Sequence, residues 1–294
     1  MGMGKDLAAA YPAAAQLFAE ADSVLGRSLS GVTFDGPEAD LVKTGNCQPA
    51  LYVHGLACLA ALRARIAEFP AQFAAGLSLG EFTAHAAAGS FGFADGLRLV
   101  AERGRLMQLA CESTIGGMAA MIGGEETDVR ALAAECGVDV ANFNSPGQIV
   151  LSGSMVGIDE AVAGAKDKGI RKAVKLNVAG AYHSRLMQSA ADALAPTLAA
   201  TPMQAPGFPV VANFTARTVN SPEEIRAALA AQVTGSVRWT ETIEHLVDVE
   251  KVELFLELGP GGIIAGLVKR TRKDVPVISI TDCATLDAAV PQLS

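Results

Sequence analysis

The sequence lacks the cysteine and histidine patterns that mark disulfide-stapled scaffolds and metal centres. Its five cysteines are scattered, odd in number and never spaced as Cys-x-x-Cys, so we expect free thiols in a reducing compartment. Its four histidines lie far apart, and none falls in a His-Glu-x-x-His segment or a similar ligand pair. These absences predict a cytoplasmic protein without a metal site.

Long apolar segments are absent as well. The amino-terminal residues MGMGKDLAAAYP contain no apolar core of the kind that a signal peptide needs. The longest apolar stretch, Leu51 to Leu62, is interrupted by His54 and Gly55 and is too short to cross a bilayer. We interpret it as a buried helix, and we expect neither a membrane segment nor export.

An excess of positive charge is also missing. Lys and Arg number 23 against 31 for Asp and Glu, which gives a net charge of −8 and a pI of about 5.1. This acidity disfavours nucleic acid as a partner, because the phosphate backbone is bound by clustered cations. It does not exclude an anionic substrate, provided that a local Arg or Lys receives it.

The composition that is present suits a folded α/β protein. Half of the residues are apolar and 18% are charged over 294 positions, which is enough for a large core. Before residue 114 helical patterns dominate, above all Gln48 to Ile66 and Phe93 to Ala110. A short strand candidate, Phe73 to Ala75, leads into a glycine-rich turn and a helix, Glu81 to Ala88.

A different pattern occupies residues 114–180. Strands and helices alternate there in the order β-α-β-β-α-β, which is that of a ferredoxin-like unit. The predicted elements are Gly117 to Gly123, Val129 to Cys136, Val138 to Asn142, Gln148 to Ser152, Ile158 to Lys168 and Ala173 to Val178. Further strands are predicted at Pro209 to Asn213 and Leu254 to Leu258. We therefore predict an α/β body with a parallel sheet, from residues 1–113 and 181–294, and a small ferredoxin-like subdomain, residues 114–180.

A candidate nucleophile lies in the turn after the first predicted strand. Gly76-Leu77-Ser78-Leu79-Gly80 has the Gly-x-Ser-x-Gly spacing of a nucleophile elbow and joins a strand to a helix, as that elbow does. The turn brings backbone segments together, so both flanking positions are expected to need glycine. The N–H of Leu79 would point at a forming oxyanion, which the helix dipole also favours. The alternative is a glycine-rich turn in which Ser78 only caps the helix.

A serine nucleophile needs a general base within hydrogen-bond reach, and histidine is the usual one. His183 is favoured because it follows a predicted strand and a short loop, where α/β proteins place catalytic groups. Its alternative role is that of a loop or helix-capping histidine. His85 lies about two turns, roughly 10 Å, along the helix that follows Ser78. We expect His54 to be a packing residue of an apolar helix and His245 to lie on a solvated helix face.

The helix predicted from Phe93 carries an arginine at the edge of its buried face. At about 100° per residue, Arg103 falls about 40° from Met107, whereas Arg98 and Arg105 point the other way. The residues that share the apolar face are Phe93, Leu97, Val100, Gly104 and Met107. Arg103 therefore either forms a salt bridge with an acidic residue or binds a substrate carboxylate through two parallel hydrogen bonds.

Seven ordered segments resemble the malonyl-CoA:acyl-carrier-protein transacylases and the acyltransferase domains of polyketide synthases. They are AGLSLGEFTAHAAAG (75–89), LRLVAERGRLMQ (97–108), GGMAAMIG (116–123), NFNSPGQIVLSG (142–153), LNVAGAYHSRLM (176–187), QVTGSVRW (232–239) and LELGPGG (256–262). These segments span almost the whole chain. The resemblance implies an α/β-hydrolase-like body with a ferredoxin-like insert. It also implies an acyltransferase that serves fatty acid or polyketide synthesis.

The resemblance implies a role for each matching catalytic residue. Ser78 would carry the acyl group as an ester, and His183 would act first as general base and then as general acid. The backbone carbonyl of Gln232 would orient His183, so no catalytic aspartate is expected. The backbone N–H of Leu79 would donate to the oxyanion.

The resemblance also implies how the substrates bind. Arg103 would bind the free carboxylate of malonyl, and Met107 would line the acyl pocket. Asn144 would lie near the pantetheine arm. Tyr182 stands where a bulky aromatic residue accompanies malonyl rather than methylmalonyl. Malonyl-CoA and an acyl carrier protein would be the substrates, no cofactor would be needed, and we expect a monomer.

Two positions depart from the family pattern. Leu77 stands where the family usually has histidine, as in stand-alone acyltransferases that serve polyketide synthases in trans, so the pathway stays open. The chain also begins at Gly2-Met3-Gly4-Lys5-Asp6-Leu7, where the family has an earlier strand and a Gly-Gln-Gly-Ser-Gln loop. We expect either a truncated chain with an open position in its sheet or an oxyanion hole with one donor missing.

Two rival functions remain at this point. One is hydrolysis of an acyl thioester, although most α/β-hydrolases carry their histidine near the chain end and 111 residues follow His183 here. The other is an inactive truncated module that only binds a carrier protein.

Overall fold

The computed structural model describes residues 1–67 and 69–293. The helices are α1 Lys5–Ala10, α2 Pro12–Leu25, α3 Leu29–Asp35, α4 Glu38–Leu41, α5 Thr44–Arg65, α6 Leu79–Ala87, α7 Phe93–Ser113, α8 Glu126–Glu135, α9 Met155–Gly164, α10 Gln188–Ala200, α11 Pro222–Thr234, α12 Trp239–Glu244, α13 Ile263–Thr271 and α14 Cys283–Leu293. The strands are β1 Ala74–Ala75, β2 Gly116–Ile122, β3 Asp139–Ser145, β4 Gln148–Ser154, β5 Lys172–Lys175, β6 Val210–Val211, β7 Thr218–Val219, β8 Phe255–Leu258 and β9 Val277–Ile280. Two 3-10 turns, Ala165–Lys168 and Arg185–Met187, and a π-helical turn, His245–Val249, complete the set.

The small unit has the predicted ferredoxin-like topology. Its four antiparallel strands are ordered β3-β4-β2-β5, and α8 and α9 cross between them in the chain. Side chains alternate between the two faces of the sheet, as the period of a strand requires. Ala119 and Met121 pack with the two helices, whereas Met118 and Ala120 face the opposite way and pack near Tyr182. The second face therefore brings the small unit against the residue before His183.

The parallel sheet of the larger α/β body is present in two pieces. In one piece β1 pairs in parallel with β6, and β7 adds an antiparallel strand. In the other piece β8 pairs in parallel with β9. Within the residues described, β1 and β8 each have a strand partner on one side only.

Several elements differ in length from the prediction. For the strand predicted near residue 210, a hydrogen bond to a distant helix explains the difference. The strand predicted over Pro209 to Asn213 is only Val210–Val211. The backbone N–H of Asn213 donates instead to the buried carboxylate of Glu81, at 3.0 Å. A partner from a distant helix thus ends this strand early, and it places Asn213 beside the elbow.

Helix α5 is the centre of the main core and sets the position of one wall of the site. It is buried along most of its length and packs against α2, α6 and α7. Its first turns lie against α7, where the backbone of Thr44 approaches Gly104. This packing places Gln48 beside Arg103 and Met107.

The elbow between β1 and α6 has the strained geometry that the sequence pattern predicted. Ser78 has φ 53° and ψ −106°, which non-glycine residues adopt only where the surrounding structure forces them. A Cβ added to Gly76 would lie 2.0 Å from the backbone carbonyl of Gly80. A Cβ added to Gly80 would meet nothing within 4 Å. The expectation that both flanking positions need glycine is therefore wrong for Gly80.

We predict opposite effects of alanine at the two glycines of the elbow. Gly76→Ala should lower the free energy of unfolding by about 3 kcal/mol, because the new methyl group would overlap the backbone of Gly80. Gly80→Ala should leave it unchanged or raise it by about 0.5–1 kcal/mol, since Gly80 lies in α6 with open space around it. Urea unfolding of both variants tests this, and equal losses would contradict it.

Candidate active site

The hydroxyl of Ser78 lies at the meeting point of two basic side chains. Its Oγ is 2.8 Å from Nε2 of His183 and 3.1 Å from a terminal nitrogen of Arg103. The elbow is fixed from behind, because the Ser78 N–H donates to Oδ1 of Asn213 at 2.6 Å. The side-chain amide of Asn213 also donates, from Nδ2, to the carbonyl of Gly76 at 2.7 Å. The Asn213 side chain therefore fixes the backbone of the elbow at Gly76 and at Ser78.

His183 is held in the tautomer that a general base needs. Its Nδ1 is 2.9 Å from the backbone carbonyl of Gln232. Because a carbonyl can only accept, Nδ1 carries the hydrogen and Nε2 is free to take the Ser78 proton. Burial and the neighbouring Arg103 cation lower the pKa of His183 to about 4, so the imidazole is neutral at neutral pH. Its backbone is also strained, with φ 55°.

Arg103 is buried and makes no direct ion pair. Its side chain is 1% exposed, and its terminal nitrogens donate to Oε1 of Gln48 and, at 2.9 Å, to Oε1 of Gln232. Its guanidinium also lies 5.2 Å from the centre of the Phe82 ring. Within residues 1–67 and 69–293 no carboxylate oxygen lies within 4.0 Å of it, and its Nε has no hydrogen-bond partner. The salt-bridge alternative is therefore not the observed arrangement.

The charge of Arg103 survives burial. Desolvation lowers its pKa to about 10, which still leaves the guanidinium protonated at neutral pH. Among the described residues no anion touches the guanidinium directly, because the carboxylate of Glu81 is linked to it only through the side chain of Gln232. The position next to Ser78 is thus suited to receive an anionic group from a ligand.

Gln232 makes hydrogen bonds with four neighbours at once. Its backbone carbonyl accepts from His183, and its side-chain oxygen accepts from Arg103. Its side-chain nitrogen donates to the carbonyl of Ser78 at 2.9 Å and to Oε2 of Glu81 at 2.6 Å. The structure thus adds a side-chain role to the backbone role that the sequence predicted for this residue.

The backbone N–H of Leu79 is placed as an oxyanion donor. Leu79 is the first residue of α6, so its N–H has no intrahelical acceptor. Among the hydrogen bonds of the described residues, none uses this N–H as donor. It therefore stays available to a ligand at the nucleophile, where the helix dipole adds to its effect.

Two of the predicted substrate-binding residues lie near Arg103. The Sδ of Met107 accepts a hydrogen bond from Nε2 of Gln48 at 3.6 Å. The hydroxyl of Tyr182 is 2.8 Å from Oγ1 of Thr44, on the first turn of α5. Met107 is buried and Tyr182 is partly buried.

Asn144 lies apart from this cluster. It lines a groove of about 410 Å³ between the small unit and the body, together with Leu77, Met118, Leu176, Ile263 and Arg270. Its Oδ1 is buried and has no hydrogen-bond partner. Leu77, the residue before Ser78, links this groove to the elbow.

The other histidines are bound elsewhere. His54 is 2.9 Å from the carbonyl of Thr281, and Nδ1 of His85 is 3.0 Å from Oγ of Ser90. The expectation that His245 lies on a solvated face is wrong. It is 9% exposed because its ring is held between Arg217, at 3.1 Å, and Glu250, at 3.2 Å.

Three functional side chains escaped the sequence analysis, namely Gln48, Glu81 and Asn213. Glu81 offered a signal, because it is an acidic residue in the first turn of a helix with an otherwise apolar face. Gln48 offered one too, as a polar residue in the early part of a long helix that is otherwise largely apolar from Ala50 to Leu62. Asn213 gave no signal, since its role depends on the turn that ends β6.

Two kinds of feature are absent from the described part of the chain. No group of three or more His, Cys, Asp or Glu side chains there is arranged to hold a metal ion. None of the helices in residues 1–67 and 69–293 combines the length and apolar character needed to span a membrane.

The fold and the site are those of an acyltransferase, in which the hydroxyl of Ser78 lies between a neutral histidine and a buried cation. The profile of the acyl transferase domain family matches residues 1–289. The malonyl CoA-acyl carrier protein transacylase of Bacillus subtilis (strain 168) is 37% identical over 298 residues, which span 100% of this chain and 93% of that protein. This chain belongs to the acyl transferase domain family.

Two other relatives bear on the biological setting. The polyketide biosynthesis malonyl CoA-acyl carrier protein transacylase PksC of Bacillus subtilis (strain 168) is 38% identical over 93% of each chain. A solved malonyl-transacylase in complex with a type II PKS acyl-carrier protein matches with a TM-score of 0.95. It is 37% identical, over 99% of this chain and 95% of that one.

We predict that Ser78 stays reactive in mild acid. Its labelling rate by a sulfonyl fluoride should be nearly constant from about pH 7.5 to about pH 5.5, because His183 stays neutral until about pH 4. A histidine with an ordinary pKa would slow the reaction about tenfold over this range. His183→Ala is the control and should abolish the labelling. A tenfold fall in the unmodified protein would contradict the assignment.

Proposed function

We propose that this chain transfers a malonyl group from malonyl-CoA to the thiol of an acyl carrier protein through an ester on Ser78. The observation that carries the proposal is the buried, unpaired cation of Arg103, 3.1 Å from Oγ of Ser78. A carboxylate at the far end of a short acyl group reaches such a cation while its thioester carbon lies at the serine. The names of the relatives support the same reaction.

The first half-reaction forms the acyl ester. His183 Nε2 takes the proton of Ser78 as Oγ attacks the thioester carbonyl of malonyl-CoA. The oxyanion that forms is stabilised by the Leu79 N–H at the start of α6. The carbon–sulfur bond then breaks, and the thiolate of CoA leaves with the proton from His183. The hydrogen bond from His183 Nδ1 to Gln232 keeps the ring in line throughout.

The second half-reaction repeats these steps with a different thiol. The thiol of the carrier protein gives its proton to His183 and attacks the ester carbonyl. When the tetrahedral species collapses, Ser78 Oγ leaves and recovers the proton. No redox change or metal-bound species is needed, because a thioester is already activated. We therefore propose that the enzyme uses no cofactor.

The groove that contains Asn144 suits the long arm of both thiol substrates. It is lined mainly by apolar side chains with a few polar groups, and its lining includes Leu77, the residue before Ser78. We assign the pantetheine arm to this groove, with Asn144 as a polar contact. In the solved relative the partner is an acyl-carrier protein, which supports such a protein as the acceptor here.

The setting is proposed from the same relatives. They include proteins named for malonyl transfer alone and others named for polyketide biosynthesis, so either fatty acid or polyketide synthesis fits. We propose a cytoplasmic monomer, with residues 1–113 and 181–294 as the catalytic body. Residues 114–180 form the subdomain that closes the groove. Tyr182, the residue before His183, is the bulky side chain proposed to favour malonyl over methylmalonyl.

We predict that Arg103→Ala lowers kcat/KM for malonyl transfer at least about tenfold more than for acetyl transfer. A charge-assisted hydrogen bond between Arg103 and the malonyl carboxylate is worth about 1.5–3 kcal/mol. Acetyl lacks this carboxylate, so its transfer does not depend on that contact. The matched control is Arg105→Ala on the same helix, since Arg105 is exposed and pairs with Glu102. Transfer to a carrier protein and to water are measured side by side. Equal losses for malonyl and acetyl would show that Arg103 is only structural.

A further inference from the structure

Glu81 is a carboxyl group buried directly behind the nucleophile. Its side chain is 0% exposed, and its Oε2 accepts from the N–H of Asn213 at 3.0 Å and from Gln232 at 2.6 Å. Its Oε1 has no hydrogen-bond partner among the residues described. A buried carboxylate oxygen without a donor can gain a proton without breaking a hydrogen bond.

The side chain of Gln232 links Glu81 to Arg103. Its nitrogen donates to Glu81 at 2.6 Å and its oxygen accepts from Arg103 at 2.9 Å, so the amide dipole lies with its positive end at the anion and its negative end at the cation. The two charges are therefore balanced through one amide. The empty site is electrically neutral when Glu81 is ionised and His183 is neutral.

A substrate carboxylate upsets this balance. If it binds Arg103, as the proposed function requires, the buried cluster holds two anions and one cation. Like charges that share a low-dielectric site raise each other's proton affinity. We propose that Glu81 takes up a proton when the free carboxylate of the acyl group binds Arg103, which couples selection of a carboxylated acyl group to pH.

The surroundings of Glu81 support this assignment. The groups that face it are Arg103 from α7, Gln232 from α11, Asn213 after β6 and, through Gln232, His183. Burial raises the pKa of Glu81 to about 7, against the opposing effect of its two hydrogen bonds and of Arg103. His85, on its own helix, has its pKa lowered to about 4 by burial and stays neutral. Glu81 can therefore change its protonation state near neutral pH.

Proton uptake can be measured on the Ser78→Ala variant, which binds thioesters without reacting. The variant is titrated calorimetrically with malonyl-CoA at about pH 8, in two buffers of different ionisation enthalpy. The heat difference should show uptake of about one proton per malonyl-CoA bound. Acetyl-CoA is the matched ligand, because it shares the CoA moiety and lacks the carboxylate. It should show no uptake beyond that of CoA itself.

The carrier of the proton is identified with a second substitution. Adding Glu81→Gln keeps an acceptor oxygen for Asn213 and Gln232 and should abolish the uptake while malonyl-CoA still binds. Uptake that persists would place the proton on another group, such as His183, and would overturn the proposal. Tight malonyl-CoA binding without any uptake would overturn it as well.

A further measurement does not depend on the folding of the Glu81 variant. In Ser78→Ala alone, the Kd for malonyl-CoA should weaken nearly tenfold from about pH 7.5 to about pH 8.5, while the Kd for acetyl-CoA stays constant. Parallel behaviour of the two ligands would overturn the proposal. The proposed function has its own test: if Arg103→Ala leaves malonyl-CoA binding unchanged, Arg103 does not bind the carboxylate. That result would overturn both the proposed function and the proton coupling that rests on it.

Discussion

Arg103 keeps a positive charge inside the protein with only neutral oxygens in direct contact, and the rest of the site is arranged around that charge. Gln48 and Gln232 present side-chain oxygens to it, and the ring of Phe82 lies nearby. Because burial works against the charged form, these contacts must be held in place by the surrounding helices. The packing of α5 against α7 and the position of α11 hold Gln48 and Gln232 against Arg103. Arg103 is thereby left as a cation whose balancing charge, on Glu81, lies beyond the side chain of Gln232.

Gln232 connects Arg103 to Ser78 and His183. Through its backbone it orients His183, and through its side chain it contacts Arg103, Glu81 and the backbone of Ser78. A shift of this residue would therefore change the base, the anion receptor and the elbow together. These shared contacts explain how an anion bound at Arg103 would raise the proton affinity of Glu81, although Glu81 is linked to Arg103 only through Gln232.

Local pattern was sufficient to predict the residues whose role follows from their own element. The strand-turn-helix around Ser78, the loop position of His183 and the helical phase of Arg103 were all readable in this way, and so was the order of the ferredoxin-like unit. Contacts between distant segments were not. Gln232 and Ser78 are 154 positions apart, and Asn213 and Glu81 are 132 apart. Which buried polar group meets which is decided by helix packing, and the early end of β6 and the burial of His245 have the same origin.

The central claim is that Ser78 carries an acyl group whose carboxylate is bound by Arg103. The most direct test is tandem mass spectrometry of the protein after brief exposure to malonyl-CoA without an acceptor. We expect one malonyl group, located on Ser78, and none on the folded Ser78→Ala variant. A malonyl group found on another residue, or on the Ser78→Ala protein, would contradict it.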